Sequence, residues 1–208
     1  MLGVHHLGLF VASGILLNLT PGQDTLYIVG RSIAQGRRAG IFSALGIQAG
    51  CGCHTLAAAL GLSAVLAASA NAYLAVKFAG AAYLAYIGIQ MLLQRSPERD
   101  VMEAYAPESD WRLFRAGLLT NVFNPKVALF YLAFLPQFVD PLAPSKIAAF
   151  LFLGCIFIGT NTVWCLTLAW GSAWAAQHAR NSGAAGSLIK RATGALFLGL
   201  GLKLAFAK

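Results

Sequence analysis

A short stretch near the start of the chain carries residues that are unusual inside an apolar segment. It reads Asn18-Leu-Thr-Pro21-Gly22-Gln23-Asp24. Proline and glycine free backbone groups from a helical ladder, and lipid cannot pair those groups. A carboxylate in such a segment usually faces a cavity or a partner, because a charge in hydrocarbon is costly. We interpret the stretch as half of a solute pathway in which Asp24 carries a proton or binds a cationic group.

The same carboxylate has a structural interpretation. Asp24 follows the break, so it stands near the N-terminus of a restarting helix, where a negative charge is stabilising. The two roles are compatible, since the broken end of a half-helix also binds ligands.

A second group of polar residues surrounds another proline. Asn121, Asn124 and Lys126 lie around Pro125, deep within a later apolar segment. A buried ammonium needs a partner or a substrate anion. Asp24 is the expected intramembrane partner of Lys126. The two form either the opposite charges of a binding site or a purely structural ion pair.

Small residues dominate one face of another apolar segment. The run Gly46 to Gly52 has glycines four residues apart, a spacing typical of closely packed membrane helices. Gln48 and His54 add polar groups, which are candidates for the same pathway and equally for packing. Glycine faces here and on the next segment also leave room for a homodimer.

The four cysteines all lie in apolar segments, so they predict no disulfide framework. Cys51 and His54 share a helix face and could join Asp24 in a divalent-metal exporter, although no cluster completes four ligands. Cys51 and Cys155 could serve a membrane thiol-redox carrier, although nothing pairs them.

Enzymatic chemistry finds little support in these residues. An intramembrane aspartyl hydrolase needs two carboxylates that share a proton, and Asp24 stands alone in its apolar segment. No serine is spaced to pair with a histidine or lysine. There is no phosphate-binding loop, so an ATP-driven mechanism within this chain is disfavoured. We expect neither an enzyme nor a cofactor or resident metal.

Composition places the chain in a membrane. Of 208 residues, 58% are hydrophobic and 11% are charged, whereas soluble proteins carry about 25% charged residues. The net charge of +8 comes from basic residues that flank apolar segments. That pattern indicates membrane topology and not nucleic-acid binding.

Six apolar segments are long enough to cross a bilayer, and together they predict a single all-helical, polytopic transmembrane domain. We expect a first repeat over 1–93, a cytoplasmic linker over 94–112 and a second repeat over 113–208. The six segments are Val4–Val29, Gly40–Ala67, Tyr73–Leu93, Leu113–Phe138, Lys146–Ala175 and Leu188–Phe206.

Basic residues alternate between the connections. They concentrate in the connections between segments one and two, three and four, and five and six, which predicts that these are cytoplasmic and that both termini lie outside. The residues concerned are Arg31, Arg37 and Arg38; Arg95, Arg99, Arg112 and Arg115; and Arg180, Lys190 and Arg191.

The two halves of the chain resemble each other. The run from Lys77 to Leu84 matches the run from Arg191 to Leu198 in a cation, a Gly-Ala pair and an aromatic-Leu pair. Each half also opens with a segment broken at a proline. Three segments per half place the second copy upside down in the membrane. This is a 3+3 inverted repeat, typical of secondary transporters, with the site where the broken helices meet.

The motifs together resemble the LysE/RhtB family of bacterial amino-acid exporters over nearly the whole chain. They are Leu19-Thr-Pro-Gly-Gln-Asp24-Thr-Leu-Tyr-Ile-Val, Gly36-Arg-Arg-Ala-Gly40, Leu45-Gly-Ile47, Lys77-Phe-Ala-Gly-Ala-Ala-Tyr-Leu84, Gly117-Leu-Leu-Thr-Asn121, Asn124-Pro-Lys126 and Phe134-Leu-Pro-Gln-Phe138.

The resemblance implies efflux of amino acids or close derivatives across the bacterial inner membrane, by exchange with protons. One position departs from the family pattern. Gln23 stands where the family commonly has a second proline, which restores a backbone N–H and adds an amide to the break. Composition and spacing alone support a secondary transporter of small solutes.

Overall fold

The structure is a computed structural model that describes residues 2–62 and 107–181. The described residues are mostly helical, and an isolated bridge joins Val4 to Val139. The α-helices are α1 (Leu7–Leu19), α2 (Gln23–Gln35), α3 (Arg37–Ala57), α4 (Asp110–Val122), α5 (Pro125–Leu129) and α6 (Lys146–Asn181).

Two of the described helices are long and apolar enough to cross a membrane. One is α3 with its π-helical extension, Arg37–Leu62, and the other is Lys146–His178 within α6. The pair Asp110–Val122 and Pro125–Phe138, bent by 49°, passes the same test when it is taken as one broken span. The prediction of a helical, multi-pass membrane protein is confirmed. Segments three and six and the repeated motif lie outside the described residues, so the 3+3 inverted repeat stays a prediction.

The first predicted segment is broken where its sequence indicates. Helix α1 ends at Leu19 and α2 begins at Gln23, which leaves Pro21 and Gly22 between them. The segment runs six residues further than predicted, to Gln35, so Arg31 lies inside α2 and not in a connection. Gly36 makes the whole turn into α3 with φ of +86°, a left-handed conformation that glycine adopts without strain.

The second break is built by its own asparagine. The Asn124 side chain accepts a hydrogen bond of 3.0 Å from the backbone N–H of Lys126, which caps the N-terminus of α5. Pro125 occupies the first position of α5, where its missing N–H costs nothing. The helix continues as a π-helical turn, Phe130–Phe134, and a 3₁₀ turn, Leu135–Phe138.

The two ends of the bundle are closed by different contacts. At one end the N-terminal segment meets the end of predicted segment four, where His5 N–H donates to the Phe138 carbonyl at 3.1 Å. At the other end Arg31 and Glu108 form an ion pair of 2.7 Å. The N-terminus and the described end of the linker, 107–112, therefore lie at opposite ends of the described helices. Which end faces the cytoplasm remains a prediction.

Helices α3 and α4 approach most closely at two glycines. A Cβ atom on Gly46 would collide with the Phe114 carbonyl oxygen, and one on Gly117 would lie 2.5 Å from the Ser43 carbonyl oxygen. Backbone meets backbone there, as the small-residue face predicts. Aromatic side chains fill part of the core, where the ring centroids of Phe130 and Phe157 are 4.5 Å apart.

Candidate functional site

A small polar cavity lies where the two broken segments meet. Its volume is about 20 Å³, enough for about one water molecule. Val127 and Phe157 form an apolar part of the wall. The polar lining comes from α1, α2, α5 and α6, through Asn18, Asp24, Thr25, Lys126, Asn161 and Trp164. At this volume the cavity is too small to hold an amino acid.

Asp24 occupies the first turn of α2 and is held by the second break. Its Oδ2 atom accepts a hydrogen bond of 2.8 Å from the Asn121 side-chain amide, which comes from the last turns of α4. Its Oδ1 atom is buried and has no hydrogen-bond partner among the described residues. A buried acceptor without a partner is costly, so Asp24 has one carboxylate oxygen that can accept a further hydrogen bond.

Lys126 reaches across to the first break. Its Nζ atom donates to the backbone carbonyls of Thr20 at 2.9 Å and Leu17 at 3.2 Å. In the described part of the chain the ion pairs join Arg31 to Glu108 and Arg38 to Asp110. Asp24 and Lys126 share a cavity without forming the direct ion pair that the sequence suggests. The carbonyls at the broken end of α1 supply the negative pole that Lys126 binds.

Two more residues that line the cavity carry donors without partners. The side-chain amide nitrogen of Asn18 and the indole nitrogen of Trp164 are buried and make no hydrogen bond within the described residues. Trp164 is absent from the sequence-based candidates. A signal was present, because Asn161, Trp164 and Cys165 are three and four residues apart and so share one face of α6.

The remaining candidates surround the cavity or lie away from it. The side-chain oxygen Oε1 of Gln48 accepts a hydrogen bond of 3.5 Å from the Asn161 side-chain amide. The His54 ring lies 3.2 Å from the Asn121 backbone oxygen and stacks on Tyr131. Gln23 is exposed beside the break. Gln48 and His54 therefore contact residues of the site without lining it, and a role for any of the three stays a prediction.

Gly50 gives a test of how the carboxylate is positioned. A Cβ atom at Gly50 would lie 2.7 Å from both Cβ and Oδ1 of Asn121. We expect Gly50→Ala to displace Asn121 and to lower export about 10-fold, the equivalent of about 1.4 kcal/mol for one misplaced hydrogen bond. The measurement is initial efflux from vesicles at matched protein content.

Gly52→Ala is the matched control for that variant, since a Cβ at Gly52 meets nothing within 4 Å. Equal export by both variants would show that contact with Asn121 does not position the site.

The geometry lends no support to the two rival chemistries. The described residues contain no group of three or more His, Cys, Asp and Glu side chains placed to hold a metal. Cys51 is buried and accepts from the Asn161 amide at 3.5 Å, whereas Cys155 is exposed. All four cysteines are free thiols.

Comparison with known proteins gives one consistent picture. A family model described as LysE type translocator matches residues 15–208. The chain is 32% identical over 201 residues to a membrane protein of Vibrio cholerae, with 96% of each chain covered. It is 33% identical over 154 residues to the homoserine/homoserine lactone efflux protein of Salmonella typhimurium, with 74% of each covered. No solved structure matches.

Proposed function

The chain belongs to the LysE family of translocators, and on that premise we propose that it exports a small zwitterionic amino acid or a close derivative. The observation that carries the proposal is the set of unpaired polar atoms around one cavity. A carboxylate oxygen of Asp24 lies there with amide and indole donors of Asn18 and Trp164. These are complementary to a ligand with one ammonium and one carboxylate group.

Asp24 is the expected partner of the ammonium group. Its Oδ2 atom is already engaged by Asn121, which fixes the carboxylate, while Oδ1 is left for the ligand. A charge-assisted hydrogen bond in a water-poor site is among the stronger polar contacts.

The carboxylate of the ligand would be received by donors on the other walls. Asn18 and Trp164 each offer an unpaired N–H group, and Lys126 has one proton left after its two carbonyl bonds. The described cavity lining holds one acidic and one basic side chain. A zwitterion adds no net charge to it, whereas a side chain with a second positive charge would lack a partner.

The likeness to the homoserine/homoserine lactone efflux proteins points to the same class of solute. A neutral side chain with a hydroxyl group would suit the amide-rich walls. We propose homoserine and amino acids of similar size as the first substrates to test.

Proton exchange would use the same carboxylate. With the N-terminus on the outer side of the bacterial inner membrane, Asp24 would take a proton there and release the ammonium group. Return of the protonated carrier would then complete the cycle. The closed cavity requires the two broken segments to separate between these states.

The test is counterflow in proteoliposomes that contain the purified protein. Liposomes loaded with unlabelled homoserine should accumulate labelled homoserine at least about 10-fold faster than lysine-loaded liposomes accumulate labelled lysine, because the uncompensated charge costs more than about 1.4 kcal/mol. Protein-free liposomes are the control. Counterflow of divalent metal without counterflow of any amino acid would reverse the proposal.

A further inference from the structure

The broken end of α1 leaves two backbone carbonyls without the N–H group four residues further on that a continuous helix would supply. The Leu17 carbonyl would normally pair with the N–H of residue 21, but Pro21 has none. The Thr20 carbonyl would normally pair with residue 24. Helix α2 instead begins at Gln23 and makes its first bond from Leu26 to Gly22. The Leu17 oxygen accepts instead from the Thr20 backbone N–H at 3.2 Å. Because a carbonyl oxygen has two lone pairs, both oxygens can still accept a hydrogen bond from a further donor.

Lys126 fits this position through three separate features of the chain. Its Nζ atom lies 2.9 Å from the Thr20 oxygen and 3.2 Å from the Leu17 oxygen. Gly22 leaves room for the side chain, because a Cβ there would lie 3.1 Å from Nζ and 3.5 Å from Cε. The Asn124 side-chain oxygen accepts from the backbone N–H of Lys126 and so fixes the lysine backbone. The break between α1 and α2 and the capped N-terminus of α5 therefore both contribute to the position of one ammonium group.

We propose that these carbonyls form a binding site for a primary ammonium ion, which the chain fills with the side chain of Lys126 as a tethered cation. The ligand class follows from the geometry. Two carbonyl oxygens at hydrogen-bond distance favour an N–H donor with positive charge, and the missing Cβ at Gly22 leaves room for that ammonium group. The site itself does not depend on what the protein transports.

The site borders the candidate solute cavity, since Leu17 and Lys126 line that cavity beside Asp24. An ammonium group that enters the cavity therefore meets both Asp24 and the carbonyls. A substrate amine would compete with Lys126 for them, which frees Lys126 to bind the substrate carboxylate. This second step rests on the proposed transport function.

The test removes the tether and supplies the cation. Lys126→Ala is purified in detergent, and its thermal unfolding is compared in methylammonium chloride and in tetramethylammonium chloride at equal ionic strength. Both ions carry one charge, but the quaternary ion has no N–H group. We expect methylammonium to raise the unfolding midpoint of this variant by about 3 °C over tetramethylammonium, because a ligand that binds the folded state stabilises it.

Two further variants serve as controls. Lys146→Ala removes a lysine at the start of α6, away from the break, and should respond equally to both salts. Lys126→Met fills the volume of the side chain without charge, so it should also show no difference between the salts. Recovery of folded Lys126→Ala only in methylammonium supports the site. Equal midpoints in the two salts, or recovery in neither, overturns it.

Because these measurements use stability, they separate the two proposals. A methylammonium response without amino-acid counterflow would retain the cation site and overturn the transport assignment. Counterflow without a methylammonium response would do the opposite.

Discussion

Replacing Asp24 with asparagine is expected to lower amino-acid export about 100-fold while the protein still inserts and folds. The loss corresponds to about 3 kcal/mol, within the range for truncating one side of a buried, hydrogen-bonded charge pair. In the wild-type chain Asp24 Oδ2 accepts a hydrogen bond of 2.8 Å from the Asn121 side-chain amide. The asparagine amide has the shape of the carboxylate, and its oxygen can accept the same hydrogen bond. The variant thus removes charge and leaves the fold.

The readout is the initial rate of export from vesicles, with and without an imposed proton gradient. Asp140→Asn is the matched control, because Asp140 is an exposed carboxylate after the Phe138 end of predicted segment four. That control should export at the wild-type rate. If Asp24→Asn showed unchanged proton-driven export at equal protein content, Asp24 would carry neither the proton nor the substrate amine.

The largest structural effect is expected at Gly46. The Cβ atom added in Gly46→Ala would clash with the Phe114 carbonyl oxygen and would lie 2.9 Å from the Leu118 backbone nitrogen. A side chain can relieve a clash by changing its rotamer, but the backbone atoms of a packed helix cannot. The two helices must separate, and overpacking of this kind costs about 3 kcal/mol or more. We expect the thermal midpoint in detergent to fall by about 10 °C.

Gly52→Ala is again the proper comparison, since it adds the same methyl group to the same helix at an open position. Alanine is a better helix former than glycine by about 1 kcal/mol, so this variant should be as stable as the wild type or more so. Equal midpoints for Gly46→Ala and Gly52→Ala would mean that α3 and α4 do not cross at Gly46 in the membrane.

Much of the architecture is legible in the sequence because a membrane constrains backbone so strongly. Apolar length predicts the spanning helices, and proline within such a length predicts where they break. Both breaks, at Pro21-Gly22 and at Pro125, occur where the sequence puts them. The glycine spacing around Gly46 likewise predicts close packing, since only small residues let helix backbones approach.

Helix ends were harder to predict. Hydropathy places the end of the first segment near Val29, but α2 continues to Gln35 because Arg31 is buried against Glu108. A buried arginine is acceptable when a carboxylate meets it, and that partner comes from a distant part of the sequence. Composition in a local window contains no information about it.

The site shows the same division. Asp24 and Lys126 are identifiable from the sequence as charges in apolar surroundings, because such residues are rare in lipid. Their partners cannot be read from the sequence and become visible in the fold. Asp24 accepts a hydrogen bond from Asn121, and Lys126 donates to the carbonyls of Leu17 and Thr20. Trp164 of α6 lines the same cavity.

The partners of Lys126 cannot be predicted from the sequence because they are backbone carbonyls, which do not depend on residue type. Every residue carries one. The two that bind Lys126 differ from the others because the break removes their i+4 donors and because the second break, far away in the chain, brings Lys126 to them. Composition and spacing determine the cost of a buried charge and the places where a helix must break. Long-range packing decides which freed backbone group stabilises which charge.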